Sequence, residues 1–386
     1  MGKTLTELAQ QLKDSNKKVQ LIYAFNGTGK TRLSREFRLL VDPKGSGADD
    51  EPAVDKDVKI IYYNAFTEDL FYWDNDLEFD ADRKLKIQPN SFTDWILSEQ
   101  GKENEIIANF QRYTDAKLTP RFNEEYSVTG SDGEEKKVKA FSEVTFSFER
   151  GNDEQSGNVK ISKGEESNFI WCLFYTFLEQ VIEELNVPEP SDRDTPDFNG
   201  LEYIFIDDPV SSLDENHLIE LAVDVSELIK SSSSGLKFVI STHNPLFYNV
   251  MYSETDSNTG YILKRNEDGT FDLEEKQGDS NKSFSYHLHL KKTIEEAINQ
   301  KQIQKYHFNL LRNLYEKTAN FLGYSHWSEL LPDDKKLYHK RIINFTSHST
   351  LSNETVAEPT EPEKETVNVL LKHLINNYSF WQKATP

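Results

Sequence analysis

Hydrophobic positions in the first 250 residues follow two alternating patterns. Continuous apolar runs predict buried strands at Val19–Phe25, Val58–Tyr62, Tyr203–Ile206 and Leu236–Ile240. Apolar positions with helical spacing predict helices at Thr4–Lys13, Lys30–Leu40, Glu166–Leu185 and Glu215–Lys230. Strands that alternate with helices indicate an α/β domain whose mostly parallel sheet is covered by helices on both faces.

Two further regions depart from this alternation. Strand-type patterns at Val144–Glu149 and Asn158–Ser162, with an exposed hairpin tip over 127–139, predict an antiparallel β-subdomain. Residues 63–76 have no simple periodicity, so the pattern assigns them to no element. From about Ser285 onward the pattern is mostly helical. We therefore expect two domains, a nucleotide-binding domain over 1–275 and a helical domain over 276–386.

Composition supports a folded protein of two or three domains. The chain has 386 residues with 24 Phe and 17 Tyr, too many aromatic residues for a disordered chain. No apolar run is long enough for a transmembrane helix, and the start lacks the apolar segment of a signal peptide. The single cysteine, Cys172, excludes an internal disulfide and a cysteine-based zinc cage. We expect a cytoplasmic protein.

Charge is unevenly distributed. The net charge of −22 argues against affinity for nucleic acid over the whole surface. Residues 276–348, however, contain 12 Lys and Arg against seven Asp and Glu, and six of the nine histidines. Nucleic-acid binding or acid–base chemistry is therefore expected in the late part of the chain.

A phosphate-binding loop lies between the first strand and the helix that follows it. The loop consists of Asn26, Gly27, Thr28, Gly29, Lys30 and Thr31. Its glycines let backbone N–H groups point at phosphate oxygens, while Lys30 reaches the β- and γ-phosphates and Thr31 ligates Mg²⁺. Ala24 replaces the first glycine of the usual pattern, a tolerable departure.

The carboxylates that such a site needs follow the strand Tyr203–Ile206. Asp207 is expected to hold Mg²⁺ through water, and Asp208 to orient or deprotonate the attacking water. Asp208 is one methylene shorter than glutamate, so hydrolysis is expected to be slow or geometrically demanding. Considered alone, the pair also fits two exposed residues that cap a turn.

The order of these motifs resembles that of the ABC-type ATPase head. The matching residues are the phosphate loop, Ser162-Lys163-Gly164-Glu165, Asp207-Asp208, Ser212-Leu213-Asp214 and His243. The resemblance implies a dimer in which Ser162 and Gly164 contact the nucleotide bound by Lys30 of a second copy. Lys163 stands where the family usually has glycine. The choice between ATP and GTP stays open, because Asn281-Lys282-Ser283-Phe284 lacks the aspartate of a guanine-reading motif.

A third candidate site lies in the helical part. Arg312 and Glu316 are four residues apart on one predicted helix face, and His348 follows a later helix. One interpretation is a helix salt bridge and a capping region. The other is a metal-free ribonuclease centre, because RNA cleavage by its own 2′-OH needs a base, an acid and a cation for the charged phosphorane.

A second resemblance covers nearly the whole chain. The PrrC family of bacterial anticodon nucleases is similar at YAFNGTGKT (23–31), YNAFTEDLFYWDND (63–76), SKGEESNFIW (162–171), FIDDPVSSLD (205–214), GDSNKSFSYHLHLK (278–291), LLRNLYEKTA (310–319) and NFTSHSTLSNE (344–354). It implies cleavage of tRNA-Lys 5′ to the wobble base, leaving 2′,3′-cyclic phosphate and 5′-OH ends. The family's catalytic residues fall on Arg312, Glu316 and His348. Its anticodon-reading segment falls on Asp279–Lys291, which includes Asp279, Ser280, Asn281, Lys282, Ser283 and His287.

The same resemblance implies a partner and a switch. A type I DNA restriction–modification enzyme would keep the nuclease latent, and nucleotide would control its release. His287 and His289 form an alternating pair that, on a strand, would share one face like two metal ligands. Two histidines are too few to close a metal site, so we favour RNA contact or packing for them.

Two other functions compete with this interpretation. An SMC-like or DNA-repair ATPase would need long heptad arms, yet about 130 loop-rich residues separate Lys30 from Ser162 without sustained heptads. A coupling ATPase of a transporter would have no enzymatic site in its tail, which the histidine-rich, locally basic C-terminal region argues against.

Overall fold

We describe the protein from a computed structural model. It describes residues 2–43, 58–75, 83–129, 135–148, 158–209, 215–255, 258–275, 286–339, 342 and 359–378. The chain divides into two compact units, Met1–Ser283 and Phe284–Pro386.

The first unit is built on a six-stranded sheet in the order β12-β11-β1-β10-β9-β2. These strands are β1 Val19–Tyr23, β2 Ile60–Tyr63, β9 Tyr203–Asp207, β10 Lys237–Thr242, β11 Asn258–Arg265 and β12 Phe271–Glu275. All neighbouring pairs are parallel except β11 and β12. Every residue of β1, β2 and β9 is buried, as expected for parallel strands covered on both faces.

Helices cover both faces of this sheet. The helices of the first unit are α1 Leu5–Asp14, α2 Lys30–Val41, α3 Ala65–Glu68, α4 Ser91–Thr93, α5 Glu103–Tyr113, α6 Lys163–Asn186, α7 Glu215–Ser231 and α8 Pro245–Glu254, with a wider helical turn at Asp94–Glu99. On one face, α1 and α2 pack in a single apolar cluster with side chains of β1, β2, β9 and β10. On the other face, Tyr63 packs against Phe174 of α6, with ring centroids 4.7 Å apart. The predicted α/β fold is confirmed.

A second, antiparallel sheet has the strand order β3-β4-β8-β5, and β6 and β7 form a separate hairpin. Their bounds are β3 Phe71–Asp74, β4 Lys84–Ile87, β5 Leu118–Phe122, β6 Tyr126–Thr129, β7 Glu135–Val138 and β8 Glu143–Phe148. The expected antiparallel subdomain is present. The prediction of a strand at Asn158–Ser162 is wrong. The Val159 N–H donates one hydrogen bond to the Phe146 carbonyl (2.8 Å), and the chain then turns because Ser162 caps α6.

The second unit is helical, as the sequence predicts. Its helices are α9 Tyr286–Asn299, α10 Lys305–Leu322 and α11 Glu361–Asn377, with a tighter helical turn at Trp327–Leu330. Their apolar faces form one buried cluster. The Tyr315 hydroxyl donates a 2.9 Å hydrogen bond to the Leu370 carbonyl and so ties α10 to α11. Among the helices that the structure describes, none combines the length and apolar composition needed to cross a membrane.

Candidate functional site

Three neighbouring parallel strands bring the predicted nucleotide-binding residues to one edge of the main sheet. Strand β10 lies between β1 and β9, with Tyr23 opposite Thr242 and Ser241 opposite Asp207. The phosphate loop, Asp208 and His243 follow carboxyl ends of these strands, and Asp207 is the last residue of β9. Ligands of open α/β sheets bind at such an edge.

The phosphate loop has the backbone that its glycines permit. Gly27 has a φ of +78° and Gly29 a φ of +118°, values in the region that favours glycine. Gly29 leads directly into α2, so the first amides of that helix face the loop. Ala24 is buried and its N–H donates to the Thr242 carbonyl (3.0 Å). Its φ is not positive, which explains why alanine is tolerated there.

Lys30 is buried within the loop, with 7% of its surface exposed. Its Nζ donates to the Ala24 carbonyl (3.3 Å) and to Oδ1 of Asn26 (3.2 Å). The same ammonium lies 3.3 Å from Oδ2 of Asp208. Its positive charge is therefore held at the centre of the loop, where a phosphate would bind.

The two expected Mg²⁺ ligands are in contact. The Thr31 hydroxyl donates a 2.7 Å hydrogen bond to Oδ2 of Asp207, whose Oδ1 accepts from the Ser241 hydroxyl. Burial raises the pKa of Asp207 against the opposing effect of these hydrogen bonds. A hydroxyl and a carboxylate side by side match the oxygen ligands that Mg²⁺ prefers. Sequence reasoning missed Ser241, although a polar residue near the end of an apolar strand is a visible signal.

Asp208 and His243 form a dyad. His243 Nδ1 lies 2.7 and 2.6 Å from the two carboxylate oxygens of Asp208. Asp208 has a left-handed φ of +57°, and its N–H donates to the Ser241 carbonyl (2.8 Å). Burial opposes the charged form, but the hydrogen bond from His243 and the charge of Lys30 lower the pKa of Asp208. The carboxylate is thus kept ionised, the form that accepts a proton from water.

The predicted signature residues begin α6. Ser162 and Glu165 form a reciprocal capping box: each side chain accepts a hydrogen bond from the other's backbone N–H (3.3 and 2.7 Å). Lys163 Nζ lies 2.6 Å from Oε1 of the buried Glu166, and the Trp73 indole donates to Oε2 of that carboxylate (2.8 Å). Sequence reasoning did not single out this contact. Asp214 lies outside the described residues.

In the second unit, the Arg312 Nε–H donates a 2.7 Å hydrogen bond to Oε1 of Glu316. Both side chains are about one-third exposed, so the pair is open to solvent on α10. His348 and the residues Asp279, Ser280, Asn281, Lys282 and Ser283 lie outside the described residues.

His287 and His289 both belong to α9, in the stretch from Ser285 that the sequence predicts to be helical, and not to a strand on which alternate residues would share one face. The Nε2 atom of His287 is buried without a hydrogen-bond partner among the described residues.

Several known proteins are similar to this chain. A family described as "AAA domain" matches residues 122–374. An anticodon nuclease of Escherichia coli is 59% identical over 99% of this chain and 99% of its own length. A crystal structure of an Smc head bound to the C-terminal winged-helix domain of ScpA aligns over 69% of this chain and 91% of its own, with 11% identity and a TM-score of 0.35. An Smc head with a coiled coil from Pyrococcus yayanosii aligns over 47% of this chain and 28% of its own, with 13% identity and a TM-score of 0.27.

Proposed function

The chain belongs to the anticodon nuclease family and contains an AAA-type ATPase domain, and on that premise we propose that it is a nucleotide-regulated tRNA endoribonuclease. The observation that carries the proposal is the 59% identity to an anticodon nuclease over 99% of both chains. The nucleotide site belongs to residues 1–275 and the nuclease to 276–386. The substrate of the nuclease is the anticodon loop of tRNA-Lys, which is cut 5′ to the wobble base.

The nuclease centre consists of Arg312, Glu316 and His348. The 2′-OH attacks the adjacent phosphorus, the bond to the 5′-oxygen breaks, and the products are a 2′,3′-cyclic phosphate and a 5′-OH. Glu316 and His348 share the roles of base and acid, one taking the 2′-OH proton and the other giving a proton to the leaving oxygen. The Arg312 guanidinium stabilises the extra negative charge of the phosphorane. The 2.7 Å contact supports this, because it places that cation beside the carboxylate.

The nucleotide site hydrolyses ATP or GTP. Lys30 and the loop amides hold the phosphates, and Thr31 and Asp207 would hold Mg²⁺, which would supply positive charge to offset the negative charge of the phosphates. Asp208 orients or deprotonates the attacking water, and His243 fixes that carboxylate by the 2.6 Å contact.

The active assembly is a homodimer or a higher homo-oligomer. Ser162, Lys163, Gly164 and Glu165 of one copy approach the nucleotide on Lys30 of another, together with Asp214. The exposed position of Ser162 at the start of α6 supports this arrangement, because helix N-termini attract anions. The substrate-binding residues are Asp279, Ser280, Asn281, Lys282, Ser283 and His287. A type I restriction–modification enzyme keeps the nuclease latent, and nucleotide relieves that state.

The proposal is tested by incubating the full chain and its His348→Ala variant with total bacterial tRNA and mapping new ends by sequencing. Nucleotide-dependent cleavage in the tRNA-Lys anticodon loop, lost in the variant, is expected. Intact tRNA with vigorous nucleotide hydrolysis, in every nucleotide state supplied, would favour a coupling ATPase instead.

A further inference from the structure

Helix α10 has an exposed polar face opposite its apolar one. Its buried face contributes to the core of the second unit through His307, Phe308, Leu311, Leu314, Tyr315, Thr318 and Ala319. The other face carries Asn309, Asn313, Glu316 and Asn320, spaced by four, three and four residues. This spacing places their side chains in one line along the helix surface. We call the three asparagines the amide stripe.

The amide stripe has no role within the helix itself. Asparagine is a poor helix former, because its amide competes for backbone hydrogen bonds. None of the three side-chain amides makes a hydrogen bond to any residue in the part of the chain that the structure describes. A weak helix former repeated along one face without local compensation points to an external ligand.

The line runs through the Arg312–Glu316 pair. Asn313 lies one turn before Glu316 and Asn320 one turn after it, so both amides are surface neighbours of that carboxylate. Lys305 and Lys317 lie on the flanks of the same face, and neither pairs with a described carboxylate. The Asn309–Asn320 distance along the helix axis is about 16 Å, the length of about five stacked nucleotides.

This combination of groups matches unpaired RNA. An asparagine amide offers a donor and an acceptor that fit base edges, and lysines neutralise backbone phosphates. We propose that the amide stripe binds the unpaired nucleotides on both sides of the bond that is cleaved at Arg312 and Glu316. This inference rests on the proposed nuclease function. The three asparagines position the RNA and select its bases; they do not transfer protons.

The test uses the full chain, a tRNA-Lys anticodon stem-loop, and the same RNA with a 2′-O-methyl group at the cleaved position, which blocks attack. Asn309→Ala, Asn313→Ala and Asn320→Ala are compared with Asn299→Ala, an exposed asparagine at the end of α9. Each stripe variant is expected to weaken binding of the blocked RNA and to raise KM about tenfold, with kcat nearly unchanged. Asn299→Ala is expected to match the wild type.

Stability separates recognition from folding. Alanine is the better helix former, so the Tm of the stripe variants should be equal to or above that of the wild type. If one of them lowers Tm, the corresponding Asn→Ser variant, which keeps a short polar group but lacks the paired donor and acceptor, must show the same binding loss. If all stripe variants bind the blocked RNA and show a KM as the wild type does, the RNA-binding role of the amide stripe is overturned, while the proposed nuclease function is unaffected. A wild-type chain that cuts no RNA in any nucleotide state supplied would overturn the nuclease and this role of the stripe together.

Discussion

The Thr31 hydroxyl donates a 2.7 Å hydrogen bond to Oδ2 of Asp207, although 176 positions separate the two residues in the sequence. The contact exists because β1 and β9 end at the same edge of the sheet, with β10 between them. It holds a buried carboxylate against the first turn of α2.

Asp207→Asn is expected to stabilise the nucleotide-free protein at neutral pH. Burial raises the pKa of Asp207, so its contribution to stability is full below the ordinary aspartate pKa and is lost as the pH rises through the raised value. Asparagine removes the buried charge, and we expect a Tm about 2–4 °C higher at pH 7. The difference should vanish as the pH falls to the ordinary aspartate range.

The exposed Asp192→Asn provides the control, with no comparable change in Tm at either pH. Mg²⁺-dependent nucleotide hydrolysis should be lost in Asp207→Asn alone. Equal hydrolysis in the two variants would refute the ligand role of Asp207.

Asp208→Asn is expected to retain nucleotide binding and lose about 10²–10⁴-fold in hydrolysis, because the group that accepts the proton is gone.

His243→Ala acts differently: without the hydrogen bond from His243, the pKa of Asp208 rises. The acidic limb of the kcat profile for nucleotide hydrolysis should therefore move to higher pH. If the acidic limb of the kcat profile lies at the same pH in His243→Ala as in the wild type, the role of the Asp208–His243 dyad is contradicted.

Ser162→Ala tests the start of α6. Loss of the capping box should cost about 1 kcal/mol of unfolding free energy. Thr4→Ala is a matched control, because Thr4 and Glu7 form the same capping box on α1. Chemical denaturation should show similar losses in the two variants, whereas nucleotide hydrolysis and nucleotide-dependent self-association should fall in Ser162→Ala alone. Equal hydrolysis and association in both would leave Ser162 a capping residue and nothing more.

Arg112→Ala tests a buried charge on α7. Arg112 binds Asp224 through two nitrogens (3.1 and 2.6 Å), and the Tyr113 hydroxyl donates to the same carboxylate. Asp224 is 8% exposed, so removal of the guanidinium leaves a carboxylate that is poorly compensated. We expect a loss of about 2 kcal/mol, reduced from the fully buried case because Arg112 is partly exposed.

Lys137→Ala removes an exposed pair with Glu125 (3.1 Å) and should cost less than about 0.5 kcal/mol. Urea unfolding of both variants measures the difference. A similar small change in each would show that Asp224 is adequately solvated without Arg112.

Local signals in the sequence predicted most elements and singled out residues that the fold brings together at one edge of the main sheet. The phosphate loop is a continuous motif, and the strands β1, β9 and β10 are unbroken apolar runs. The start of α6 was predicted at Glu166, three residues late, because the helix begins where Ser162 caps it. Residues 63–76 gave no period because they span the end of β2, the short α3 and β3, each only four residues long.

Contacts between segments that are distant along the chain could not be predicted from the sequence. The left-handed φ of Asp208, the approach of His243 Nδ1 and the Thr31–Asp207 hydrogen bond depend on the register between β9 and β10 and on the strand order. The helical position of His287 agrees with the helical pattern that begins near Ser285, although histidine-x-histidine alone fits a strand and a helix equally well.

The central claim is tested most directly by Arg312→Ala, assayed for cleavage of tRNA-Lys and for nucleotide hydrolysis in the same preparation. Lys364→Ala is the control, since it removes another helix ion pair of the second unit, the one with Glu361 (2.9 Å). The account predicts that Arg312→Ala loses at least about 10²-fold in RNA cleavage while hydrolysis persists, and that Lys364→Ala retains both activities. Undiminished RNA cleavage by Arg312→Ala would contradict it.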